Sequence, residues 1–176
     1  KENIKSNKEK ITSLMGEVDE YIETNTSLEE DVKSKTEKQE AVTGARQKLS
    51  KLNNLKGKIS QKVGTITKEH QFFTENTVCP TCQQDIAEEF RLNRISDAQD
   101  KAKELKEGYD ELVNAIKFEQ DRERQFNDLS QEITSLTHDI SQNNTRINLN
   151  QRQIRELEHE IQTIASNLQN RNTEHE

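Results

Sequence analysis

Tryptophan is absent from this chain, and proline occurs once, at Pro80, between the only two cysteines, Cys79 and Cys82. Aromatic residues make up 4% and hydrophobic residues 28%, against 34% charged. That is too little apolar material for a compact globular core of this length. No run approaches the roughly 18 apolar residues that a membrane span needs, and no secretory leader is evident. The expected location is therefore intracellular. The first residue is Lys1 rather than Met, which points to an excised fragment. There is no phosphate loop of the G-x-x-x-x-G-K-[ST] form and no cluster of catalytic acids, so no ATPase or nuclease activity is expected of this segment.

Net charge is −7. Charges of both signs are interspersed, so the chain as a whole has no attraction to nucleic acid, and strong direct DNA binding is not expected.

What the chain does have is apolar residues at alternating steps of three and four. Ile4, Ile11, Val18, Asn25 and Val32 read as heptad a positions, with Leu14, Tyr21 and Leu28 at d. Residues 33–40 hold no apolar side chain. The pattern then resumes with Val42, Leu49, Val63 and His70 at a, and Ala45, Leu52, Ile59, Ile66 and Phe73 at d. Gly44, Gly57 and Gly64, with Lys56 at a core position, predict a looser helix here. After the cysteines, Ile95, Ala102, Tyr109 and Ile116 read as a. Further on, Ile133, Ile140, Ile147, Ile154, Ile161 and Leu168 follow in the same position, with Leu129, Leu136, Leu157 and Ile164 at d. Asn25, Asn143 and Asn150 are polar at core positions. They either fix register at some cost in stability or are tolerated as surface-like positions.

Each heptad series is interrupted once by an insertion of three, which overwinds a coiled coil locally. Folding the chain about the CxxC pairs residue i with about residue 161 − i. Residues 33–41 then face 120–128, so that Lys33, Lys35 and Lys38 oppose Asp121 and Glu123, and these residues with Glu119 mark a possible joint. The two polar breaks match in height and size, which favours antiparallel pairing within one chain. They suggest either a joint or a static irregularity.

Proline inside a helix costs roughly 3 kcal/mol, so the helix is expected to stop near Thr74 and return. The predicted organisation is all-α: a long intramolecular antiparallel coiled-coil hairpin. Its parts are an ascending helix over 1–74, a turn over 75–85 and a descending helix over 86–176. Asp85 with Glu88 has the form of a capping box. Phe72, Phe73, Ile86 and Phe90 are expected to cluster below the turn, chiefly as hairpin closure.

A CxxC pair is a zinc half-site, a redox disulfide or a pair of inert thiols. A thioredoxin-like site needs a βαβ context, and no strand pattern flanks this one. Structural zinc takes four ligands, but the chain has no third cysteine. Of its histidines, His138, His159 and His175 lie far along the second arm, and His70 fits a core or surface role better than a ligand role. Two copies joined about a two-fold axis would supply four thiolates, one zinc per two chains.

Cys79-Pro80-x-Cys82 followed by Ile86 and flanked by long heptad arms resembles the zinc hook of SMC-like double-strand-break repair ATPases, the SbcC-type subunits. Many members carry Gly after the second cysteine, where this chain has Gln83. The resemblance implies a homodimer joined through zinc on Cys79 and Cys82, with Val78, Pro80, Thr81 and Ile86 forming the hook turn and its contact. It also implies a parent ATPase that works with a metal-dependent nuclease subunit on DNA in repair or recombination. The short arms and Asn- and Thr-rich composition point to a bacteriophage recombination endonuclease.

Overall fold

The computed structural model describes residues 2–174 and holds three helices: α1 (Glu2–Ala41), α2 (Ala45–Glu75) and α3 (Glu88–Thr173). Among the described residues the only β-type pairing is an isolated antiparallel bridge, Val78 with Asp85. The fold is all-α. None of its helices is long and apolar enough to cross a membrane. The chain divides into two compact units, Lys1–Ala41 with Asp128–Glu176, and Val42–Asn127.

In the first unit α1 lies against the C-terminal part of α3. Asn7 donates to Glu160 at 3.0 Å, Asn150 to Glu17 at 2.9 Å, and Lys35 pairs with Glu132 at 2.9 Å. Partner numbers fall as α1 numbers rise, so the two segments run antiparallel. The inward positions follow the heptads, but only Val18 among their apolar residues is fully buried. Two of the other buried side chains are asparagines. Asn25 is 6% exposed and uses both ends of its amide, donating to Asn144 at 3.0 Å and accepting from Asn143 at 2.9 Å. A displaced register would strand these groups, so the asparagines specify alignment. Asn25→Ala is expected to cost about 1–2 kcal/mol in urea unfolding.

The second unit packs α2 against the N-terminal part of α3. Ala45, Ala98 and Ile116 are buried. Lys56 lies 5.6 Å from the centre of the Tyr109 ring, which lets a charged residue occupy an inward position. Small side chains here bring the helices close: a Cβ added at Gly108 would meet Ile59 Cδ1 at 3.9 Å.

Two expectations are corrected, the single helix of the first side and the register. The first side is two helices, not one, and the interruption falls at 42–44 rather than in the polar stretch 33–40. Polar side chains hold 33–40 helical. Thr36 bonds back to Val32 O at 2.8 Å, Lys35 joins Asp31 and Glu132, and Gln39 donates to Ser130. The chain turns over 42–44 and enters α2 at Gly44, whose φ of 84° is left-handed. On the second side α3 is one helix through 119–125, within the span expected for the descending arm. The register also differs: Val78 faces Asp85 rather than residue 83, and Lys35 faces Glu132 rather than residue 126.

Glycine substitutions should therefore split in sign. Gly57 and Gly64 are helical with open space around them, so alanine at either is expected to stabilise by about 1 kcal/mol. Gly44→Ala meets no atom either, but its left-handed φ makes it destabilising by about 1 kcal/mol. Thermal unfolding of the three variants checks the contrast.

Candidate metal centre

Between α2 and α3 the chain reverses over residues 76–87. Three backbone bonds staple the legs: Ile86 N–H to Thr77 O at 2.9 Å, Cys79 N–H to Gln84 O at 2.9 Å, and Gln83 N–H to Cys79 O at 2.8 Å. The centre of the reversal lies between Thr81 and Cys82, one residue past the centre of the CxxC, which accounts for the shifted register near the turn. Pro80 presets φ for the first corner position and has no N–H to satisfy there.

Both cysteines are free thiols, Cys79 half-buried and Cys82 exposed. The Cys79 thiol is held below its ordinary value of 9.0. The backbone N–H of Cys82 contributes most, then that of Thr81; the Cys82 thiol and the Thr81 hydroxyl add to it, against partial desolvation that raises it. Hydrogen bonds to sulfur favour the thiolate, which is both the nucleophile and the metal-binding form. Ionisation of Cys79 therefore stabilises the folded turn. That contribution is complete above the unfolded value and is lost as pH falls through the lower folded one. Alkylation of Cys79 in the metal-free protein should show a pH midpoint below 9.0. Cys82→Ser should move it only part of the way back, because both backbone donors remain.

Gln83 has φ 60°, the only left-handed non-glycine residue among those described. Gln83→Gly should stabilise the turn by about 1 kcal/mol, read by hydrogen exchange of the Cys79 and Gln83 amides.

Below the turn, Phe73 is central. Its ring centre lies 5.1 Å from Phe72 and 5.9 Å from Phe90, both edge-on. Phe72 and Phe90 remain exposed at 36% and 50%, as does Val78 at 43%, while Ile86 is half-buried. Two arginines escaped the sequence reading. Arg91 donates to Phe73 O at 3.1 Å, serving a free carbonyl of the last turn of α2. Arg94 covers the Phe90 ring at 5.2 Å and pairs with Glu69 at 3.6 Å. The four-residue spacing of Phe90 and Arg94 was the available signal. The Asp85–Glu88 capping box is replaced by a different start. α3 begins at Glu88, Ala87 O accepts from Arg91 N–H, and Asp85 is held by the bridge to Val78.

Comparison with protein-family models, curated proteins and solved structures finds no match. The donor set must therefore be judged on its own chemistry. Among the described residues no group of three or more His, Cys, Asp or Glu could hold a metal. His70 is half-buried on α2, His138 and His159 lie on α3, and His175 falls outside the described residues. One chain thus presents two thiols on one turn. That fits half of a tetrahedral thiolate site and not a whole one. The residues named as a possible joint fall in both units. Lys33, Lys35 and Lys38 lie on α1, in the unit formed with Asp128–Glu176. Glu119, Asp121 and Glu123 belong to the other unit, and there Glu119 pairs with Arg122 at 2.8 Å and Asp121 with Arg124 at 3.3 Å, both along α3.

Proposed function

We propose that this chain is an antiparallel coiled-coil hairpin with a zinc hook at its apex, and that two copies share one zinc ion through Cys79 and Cys82 of each. The observation that carries the reading is a pair of free thiols on one closed turn, with no third ligand grouped with them among the described residues; backbone N–H groups that hold the Cys79 thiol below its ordinary value support it. Those donors prepare a thiolate before any metal arrives, and the unfilled half of the coordination is what a second copy supplies. Zinc in a closed four-thiolate site acts structurally, so its binding energy becomes association energy. The exposed Val78, Phe72 and Phe90 lie beside the turn, where a second hook would cover them. In this reading the module has no catalytic role. It tethers two copies of an intracellular SMC-like repair or recombination ATPase of bacteriophage origin that acts with a nuclease subunit on DNA.

A thiol–disulfide function is the second reading, favoured by the lowered Cys79 value. Redox CxxC pairs draw much of that depression from a helix N-terminus. Here the next helix starts only at Glu88, so the depression is local to the turn, as a metal ligand requires. A spacer with inert thiols would bind no metal. Equilibrium dialysis against zinc, followed by sedimentation with and without chelator, separates the three. The hook reading expects a zinc-loaded dimer that reverts to monomer on chelation. A chelator-insensitive dimer would refute it.

A further inference from the structure

The mixing of charge signs across the chain fails on α2. Residues 41–68 contain no Asp or Glu, yet carry Arg46, Lys48, Lys51, Lys56, Lys58, Lys62 and Lys68. The next longest acid-free run, 140–155, carries only Arg146, Arg152 and Arg155.

The placement of these residues is not random. With Leu49, Lys56 and Val63 at a, Lys48 and Lys62 fall at g, and Lys51 and Lys58 at c. Those positions share one flank of the helix. All four lysines are exposed. No ion pair among the described residues engages any of them, whereas Lys56 is spent on Tyr109. The row from Lys48 to Lys62 runs about 21 Å at roughly 1.5 Å per residue. The 3.6 Å contact of Glu69 with Arg94 shows which flank of α3 adjoins it. At the equivalent positions that flank carries Arg94 and Lys101, with Asp97, Glu104 and Glu111. It also carries Gly108 and Ala115, which leave the row open on that side.

No carboxylate of the adjoining flank comes within ion-pair distance of the four lysines, so their self-repulsion is only partly offset, and a regular polyanion would relieve it. Duplex DNA carries one phosphate per roughly 3.4 Å along each strand, so a row of this length can meet several. We infer that the Lys48–Lys51–Lys58–Lys62 flank of α2 is a binding strip for the phosphate backbone of duplex nucleic acid, without base specificity. This contradicts the expectation, from net charge, of no strong direct DNA binding. The strip does not depend on zinc.

The test uses the full chain, with chelator present to remove any metal-linked dimer, and fluorescence anisotropy of a short labelled DNA duplex. One variant combines Lys48→Gln, Lys51→Gln, Lys58→Gln and Lys62→Gln. A control of equal charge combines Lys5→Gln, Lys8→Gln, Lys10→Gln and Lys33→Gln on α1. Circular dichroism verifies that both remain helical. Wild type and control should bind at low ionic strength with affinity falling linearly in log salt. The α2 variant should bind at least about tenfold more weakly, with a slope shallower by about three to four, near one per lost phosphate contact. The inference is overturned if wild type fails to bind at low ionic strength, or if both variants weaken equally. It is also overturned if the α2 variant loses self-association instead of DNA affinity, which would make an acidic protein segment the partner.

Discussion

Replacing Cys79 by serine is expected to abolish zinc retention and weaken self-association by at least about 100-fold, more than any single change outside the two cysteines. The reason lies in the donor count. A two-fold site loses two of its four thiolates when one residue changes, and serine offers no thiolate in their place. Cys82→Ser should match it in metal loss. The helices themselves should hardly respond, because the half-buried Cys79 and exposed Cys82 contribute little to packing. Unchanged circular dichroism together with lost dimer would separate failure of the joint from failure to fold. Acid should act in the same direction, since ligand thiols must be ionised to hold the metal. The dimer should therefore dissociate as pH falls, and metal-free protein should show no such transition in mass.

The second large effect is expected away from the turn. Glu119 is buried at 6% exposure, with its carboxylate held by Arg122 through contacts of 2.8 and 3.0 Å. Arg122→Met leaves that carboxylate in a dry position without its cation, at a cost of about 3 kcal/mol. Arg122 also lies 5.9 Å from the Phe118 ring, a contact its loss removes as well. Glu119→Leu combined with Arg122→Met should recover most of the stability, because an apolar pair of similar volume suits an inward position that charge does not. Chemical denaturation of the two singles and the double closes the cycle. If Arg122→Met costs less than about 0.5 kcal/mol, the pair is solvated and the burial argument fails.

The heptad series was legible because spacing alone sets which side of a helix faces inward, whatever the residue. Positions such as Val18, Ala45 and Ile116 were found that way and are buried. The same rule reaches further than apolar residues. Asn7 sits at d, three residues after Ile4, and is buried against Glu160, although its polarity hid it. Glu119 was hidden for the same reason. An apolar residue is missing from 33–40, but Lys35, Thr36 and Gln39 can fill inward positions once their polar ends are bonded, so low hydropathy there marked no break. The break went to Gly44, where backbone conformation rather than hydropathy decides. Gln83 is the converse case. Its left-handed backbone is imposed by the bonds that close the turn, and glutamine carries no signal of it. At the candidate metal centre the two thiols are legible from their spacing. The donors that lower the Cys79 thiol are main-chain groups of Thr81 and Cys82, which any residues but proline would supply, so they are visible only in the folded turn.

The central claim is that one chain holds half a metal site. Native mass spectrometry of the zinc-loaded protein, sprayed from volatile buffer, measures chain number and metal number in a single species. The account predicts two chains with one zinc ion. A lone chain that retains its zinc would contradict it.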